Sequence, residues 1–177
     1  LHSHHLAQKN VALEANAVFT KRGDDSMEKK PLGTDIVTQI GILVNDIEKT
    51  SQAYADLLGV EKPQWILSGP LEEAQTEYLG KPSKARAKLA FFDASPTTQI
   101  ELIEPDHEPS TWRHDLDQNG EGFHHIAFII KGMQEKIAIL GRNGMPLLQK
   151  GEYTGGRYAY IDANKDLKLV LELLEND

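Results

Sequence analysis

Gln39-Ile-Gly-Ile-Leu-Val44 and His125-Ile-Ala-Phe-Ile-Ile130 follow one pattern, and reading them as two copies of a single strand decides the fold. Alternation over Ile36 to Val44 puts Ile40, Ile42 and Val44 on one face and Gln39, Gly41 and Leu43 on the other. The second copy puts Ile126, Phe128 and Ile130 on one face, with Gln39 matched to His125, Gly41 to Ala127 and Ile47 to Met133. After the first strand, Asn45 or Asp46 can cap a helix with Ile47, Tyr54, Leu57 and Leu58 on its buried side and a stop at Gly59. After the second, Met133, Ile137 and Leu140 mark a helix that stops at Asn143–Gly144.

The match continues downstream. Leu89-Ala-Phe-Phe-Asp93 lies over Tyr158-Ala-Tyr-Ile-Asp162, and Ile100-Glu-Leu-Ile-Glu104 over Leu171-Glu-Leu-Leu-Glu175. Each half reads strand, helix, a weak strand, then a two-strand hairpin. The expected architecture is α+β: two βαβββ modules related by a pseudo-twofold axis, forming a curved mixed sheet with a cleft. The boundaries that follow are a flexible leader or peripheral arm at 1–35, a first module at 36–105, a linker with one short helix at 106–121, and a second module at 122–177. Around Gln64–Ser83, with Pro70, Gly80 and Pro82, a surface excursion is expected.

Composition narrows the possibilities. The chain has 177 residues, about one domain's worth. Its 19 basic and 27 acidic side chains leave a net charge of −8, which disfavours a phosphate backbone as partner, so nucleic-acid binding is not expected. There is no cysteine, which removes disulfides, thiolate ligands and a cysteine nucleophile. No apolar run is long enough to span a bilayer. A cytoplasmic location is expected, with a processed exported form as the alternative suggested by the leader; His2, His4 and His5 read as a solvated tail or tag remnant.

The repeat also has a chemical consequence. Gln39 and His125 occupy equivalent positions, as do Glu101 and Glu172, and alternation turns all four away from the helix-facing layer. Two carboxylates facing one cleft raise each other's pKa unless a cation lies between them. An amide oxygen, an imidazole and two carboxylates suit a divalent metal ion: zinc, nickel, cobalt, manganese or iron. By the same alternation His124 falls on the other strand face, as a structural residue, and Glu104 and Glu175 are rim or solvent carboxylates. Tyr158 and Tyr160 share a strand face, as core or cavity residues. Arg86, Lys88, Lys150 and Arg157 are candidate contacts for an anionic carrier.

The stretches QIGILVNDIEKTSQAYADLLG, IELIEP, GEGFHHIAF and LVLELLE resemble the vicinal oxygen chelate superfamily, the glyoxalase/bleomycin-resistance/dioxygenase fold. The wording is nearest to methylmalonyl-CoA epimerases, although Gln39 stands where a His is usual and Gln99 where a basic residue is usual. The ligand order Gln, Glu, His, Glu is similar to one branch of glyoxalase I (lactoylglutathione lyase), whose Asn-Trp-Gly is replaced here by Glu104-Pro105-Asp106. The resemblance implies a metal-dependent isomerase or lyase that abstracts a proton next to a carbonyl, with a metal-stabilised enediolate or enolate. Gln39, Glu101, His125 and Glu172 would be the ligands, and Glu101 and Glu172 the acid–base pair. A small carbonyl substrate, such as a thioester or thiol conjugate, would follow, and a homodimer is expected because small sheets with exposed edges commonly pair. The competing readings are a ring-cleaving dioxygenase and a non-catalytic small-molecule binder on the same scaffold.

Overall fold

The first strand of each half lies parallel to its own last strand, and the two first strands lie antiparallel to each other. The computed structural model describes residues 30–177, so residues 1–29 of the expected leader, with its histidines, lie outside the described residues. The first half comprises β1 (Gln39–Leu43), α1 (Ile47–Leu58), β2 (Ile66–Leu67), α2 (Leu71–Ala74), β3 (Glu77–Tyr78), β4 (Lys81–Pro82), β5 (Ala87–Asp93) and β6 (Gln99–Pro105). Then come α3 (Thr111–Asn119), β7 (Gly122–Ile129), α4 (Met133–Arg142), β8 (Leu147–Tyr153), β9 (Gly156–Asp162), α5 (Asn164–Leu167) and β10 (Val170–Asn176).

All ten strands form one sheet in the order β2-β5-β6-β1-β7-β10-β9-β8-β3-β4. Read outward from the β1–β7 seam, β6, β5 and β2 mirror β10, β9 and β8. The stretch expected as a surface excursion breaks the mirror. β2 pairs with β5 at one end of the sheet, whereas β3 pairs with β8 of the other half. In a flat sheet those strands would be eight spacings apart, about 38 Å. The chain from Leu67 to Glu77, with α2 in its middle, reaches only about 26 Å. The sheet must therefore curl, and the excursion ties its two edges together.

One side of the sheet carries α1, seated on Val44, Ala90, Phe92 and Leu102. Asp46 caps α1 by accepting from Lys49 N at 3.0 Å, and Gly59 ends it in the left-handed conformation, φ 66°. The buried stripe is Ile47, Ser51 and Ala55, with Tyr54 against Phe92. Neither Leu57 nor Leu58 is buried; Leu57 is 79% exposed. At 100° per residue Leu57 is rotated off the contact face, while Leu58 falls in line with the stripe but is the helix's last residue and is still 40% exposed. On the concave side, α3 seats Trp112 and Leu116 against Leu43, Ile103, Tyr160 and Val170.

Glu104 and Glu175 are not solvent carboxylates. Glu104 Oε2 accepts from Ile47 N at 2.8 Å, and Glu175 accepts from Gly132 N at 2.6 Å and Met133 N at 3.1 Å. Each therefore holds the start of its own half's helix, where unpaired N–H groups and the helix dipole favour an anion. These two N–H bonds hold the Glu175 carboxyl below the usual carboxylate range. Its stabilising effect is thus complete above the ordinary Glu pKa and fades as the pH falls through the depressed value. Glu175→Ala should lose about 1 kcal/mol at neutral pH in urea melts. The difference from the unsubstituted protein should shrink as the melts are repeated toward pH 3.

Candidate metal centre

Strand pairing brings three charged side chains to one point. Glu101 and His125 both lie opposite Gly41, from β6 and β7, and Glu172 lies opposite Ala127 on β10. Glu101 is 6% exposed, His125 0% and Glu172 4%. His125 Nε2 stands 3.4 Å from Glu101 Oε2 and 3.0 Å from Glu172 Oε2. None of those three atoms has a hydrogen-bond partner of adequate geometry. Each of the three residues offers a donor atom within 4.8 Å of the other two. Gln39 is half-buried on the same sheet face, opposite Ala127 and one pleat from Gly41.

Burial opposes charge on Glu101 and His125, but the neighbours decide the outcome. Burial lifts the Glu101 carboxyl above its ordinary value, with His125 pulling the other way. Burial also pushes the His125 imidazole down, yet the Glu172 and Glu101 carboxylates outweigh it and raise it to about 9. The pair of acids is calling for a positive charge at Nε2. The three donors could hold a divalent cation, since one imidazole nitrogen and two carboxylates total −2.

Gly41 makes room for the ring. A Cβ at that position would lie 2.0 Å from His125 Cε1, so only glycine permits this approach. A glycine inside a strand is a known mark of close approach, and that signal was open to sequence reasoning. Gly41→Ala should cost about 1–3 kcal/mol in urea denaturation. Adding His125→Ala should recover much of the loss, because the clash is with that ring; additive costs in the double variant would contradict this.

His124 does not turn to the other face. The pairing steps from Gly41–His125 to Ile42–Phe123, so His124 is the extra residue of a β-bulge. Its buried ring lies edge-on to His125, with the two Nδ1 atoms 3.0 Å apart. Tyr160, opposite Glu172 on β9, packs edge-on to His124 and tilted against His125, with ring centroids 5.4 and 5.2 Å away, and accepts from Trp112 Nε1 at 3.0 Å. The four candidate cations are engaged elsewhere. Arg86 Nε donates to Ser68 O at 2.7 Å, and Lys88 pairs with Glu104 at 2.7 Å. Lys150 faces Glu77 at 3.4 Å, and Arg157 faces Glu152, Glu175 and Asp177.

The comparisons with known proteins agree with this architecture. The family model of the glyoxalase/bleomycin resistance protein/dioxygenase superfamily matches residues 38–160. An uncharacterized protein of Bacillus subtilis, YqjC, is 27% identical over 139 residues, 77% of this chain and 89% of its own length. The structure of methylmalonyl-CoA epimerase from Mycobacterium tuberculosis superposes with a TM-score of 0.56 at 23% identity, covering 86% of this chain and 94% of that one. A methylmalonyl-CoA epimerase in complex with methylmalonyl-CoA and NH4+ gives 0.55 at 21% identity, covering 80% and 94%. With its paired modules, its curled mixed sheet and a family match over more than half its length, the chain belongs to the glyoxalase/bleomycin resistance protein/dioxygenase superfamily.

Proposed function

We propose that this protein is a divalent-metal-dependent isomerase or lyase that moves a proton on carbon next to a carbonyl group. The observation that carries the reading is the set of partnerless, buried atoms Glu101 Oε2, His125 Nε2 and Glu172 Oε2. Buried polar atoms are normally paired, and an orphaned trio converging on one point fits a cation. Glu101, His125 and Glu172 would hold the ion, with the Gln39 amide as fourth donor from the same face. Zinc, nickel, cobalt, manganese and iron all accept such a set. When bound, the ion supplies Lewis-acid stabilisation of the charge developing on the carbonyl oxygen.

The chain's own part is proton transfer. We assign Glu172 as the base that takes the proton from carbon, the C–H pair moving toward the carbonyl oxygen. Return of a proton from Glu101 to the opposite face inverts the carbon, as in an epimerase. Return from Glu172 to the neighbouring carbon gives an isomerase or lyase outcome. A carboxylate that held the ion would be a weaker base than a free one, so the acting carboxylate would have to be the more loosely held of the two. Thioesters are supported as a substrate class by the epimerase complex that shares this fold. The reading includes a homodimer, supported by edge strand β2, which leaves Ile66 and Leu67 exposed.

Elemental analysis should find one divalent ion per chain. Racemic thioesters and hemithioacetals incubated in heavy water should gain deuterium next to the carbonyl, read by mass spectrometry. Glu172→Gln should slow that exchange by about 10²–10⁴-fold. Exchange at an unchanged rate would remove Glu172 from its role. Protein without an ion would favour a binder, and iron with oxygen uptake a dioxygenase.

A further inference from the structure

We infer that α3, which belongs to neither module, fixes the metal-facing nitrogen of His125 through His124, making His124 and Asp115 positioning residues of the site. This rests on the reading that a cation is held at Glu101, His125 and Glu172.

The chain of contacts has a direction. Thr111 and Asp115 stand one helical turn apart on α3, and both reach the same atom: His124 Nε2 lies 3.3 Å from Asp115 Oδ2 and 3.3 Å from Thr111 Oγ1. An ionised carboxylate only accepts, so the single proton of a neutral His124 ring belongs on Nε2. Its Nδ1 is then bare and can only accept. The atom it meets, 3.0 Å away, is His125 Nδ1, which must therefore carry a hydrogen and donate it. His125 is left with Nε2 as the nitrogen free to bind a cation, and that atom is the one facing Glu101 and Glu172.

Position is fixed along with proton placement. Thr111 N donates to the fully buried Gln149 Oε1 at 2.8 Å, which anchors the start of α3 to β8. The bulge at His124 brings its ring to the His125 side of the strand. A carboxylate behind a metal-binding histidine commonly orients it directly; here a second imidazole is interposed.

Two measurements test this separately. Nitrogen-15 NMR of histidine rings in the metal-free full chain should show His124 protonated on Nε2 and bare on Nδ1. The reverse tautomer overturns the relay, whether or not an ion binds. Cobalt(II) titration then tests the consequence. His124→Phe should weaken cobalt binding by about 10–100-fold and alter its visible spectrum. Asp115→Asn, a change at a partly exposed helix position, should act in the same direction. His124→Asn, whose side-chain oxygen can take the place of Nδ1, should recover part of the affinity. Unsubstituted affinity and spectrum in both His124→Phe and Asp115→Asn would overturn the inference. If the unsubstituted chain binds no cobalt, the metal reading fails, and the NMR tautomer still decides the relay.

Discussion

The Glu101 and Glu172 carboxylates approach a single imidazole nitrogen where almost no water reaches them. At an effective dielectric of about 20, two like charges some 4 Å apart repel by roughly 4 kcal/mol, before any cost of burial. Positive charge among the groups relieves that repulsion, as does a proton on one carboxyl, the direction in which burial moves Glu101; the remaining architecture holds the groups together. Parallel pairing of β1 with β6 and of β7 with β10 sets both glutamates beside the seam between modules. Gly41 clears a space for the imidazole, and α3 roofs the concave side with Trp112.

The repeated halves use matched residues for two different ends. Glu101 and Glu172 project into the cup, whereas Glu104 and Glu175, three residues later on the same strands, turn outward to helix starts. A three-residue offset on a strand reverses the face, so one short motif supplies both a charged interior and a helix cap. This explains how a hairpin strand can carry two acids in five residues without either facing bulk solvent. Pairing at the seam keeps the symmetry, since Gly41–His125 and Gln39–Ala127 are equivalent pairs; what differs is the residue, because only Gly41 leaves space for a ring over it.

Much of this was legible in the sequence because strand alternation fixes faces without tertiary information. Ile40, Ile42 and Val44 mark one side, and the inward direction of Glu101, His125 and Glu172 follows from their neighbours. The duplicated βαβββ pattern and the helix in the linker were readable on the same grounds. What was hidden depended on contacts between distant segments. A bulge inserts one residue without any change of composition, so alternation assigned His124 to the wrong side. Glu104 and Glu175 look like surface acids until the helix starts are seen beside them. Two-residue strands such as β3 have no period to detect, so its pairing with the opposite half could not be anticipated. Leu57 and Leu58 look buried because they are apolar, yet Leu57 lies off the stripe through Ser51 and Ala55, and Leu58, though in line with it, ends the helix and stays exposed.

A duplicated cup presents equivalent positions to its centre, and the proposed removal of a proton from one face of a carbon would need those positions to differ. Two features outside the repeat supply the difference. The 64–83 segment crosses from one edge of the sheet to the other and fixes the curl from one side only. The linker helix α3 reaches the second module's His125 through His124, while the first module offers no matching pair, since Thr38 precedes Gln39 where His124 precedes His125. Thr38 instead bonds to Ala127 O across the seam. The two strands that meet at the axis thus carry different supports behind similar faces. Unequal behaviour of Glu101 and Glu172 then requires no difference between the carboxylates themselves, only the difference in what stands behind the seam.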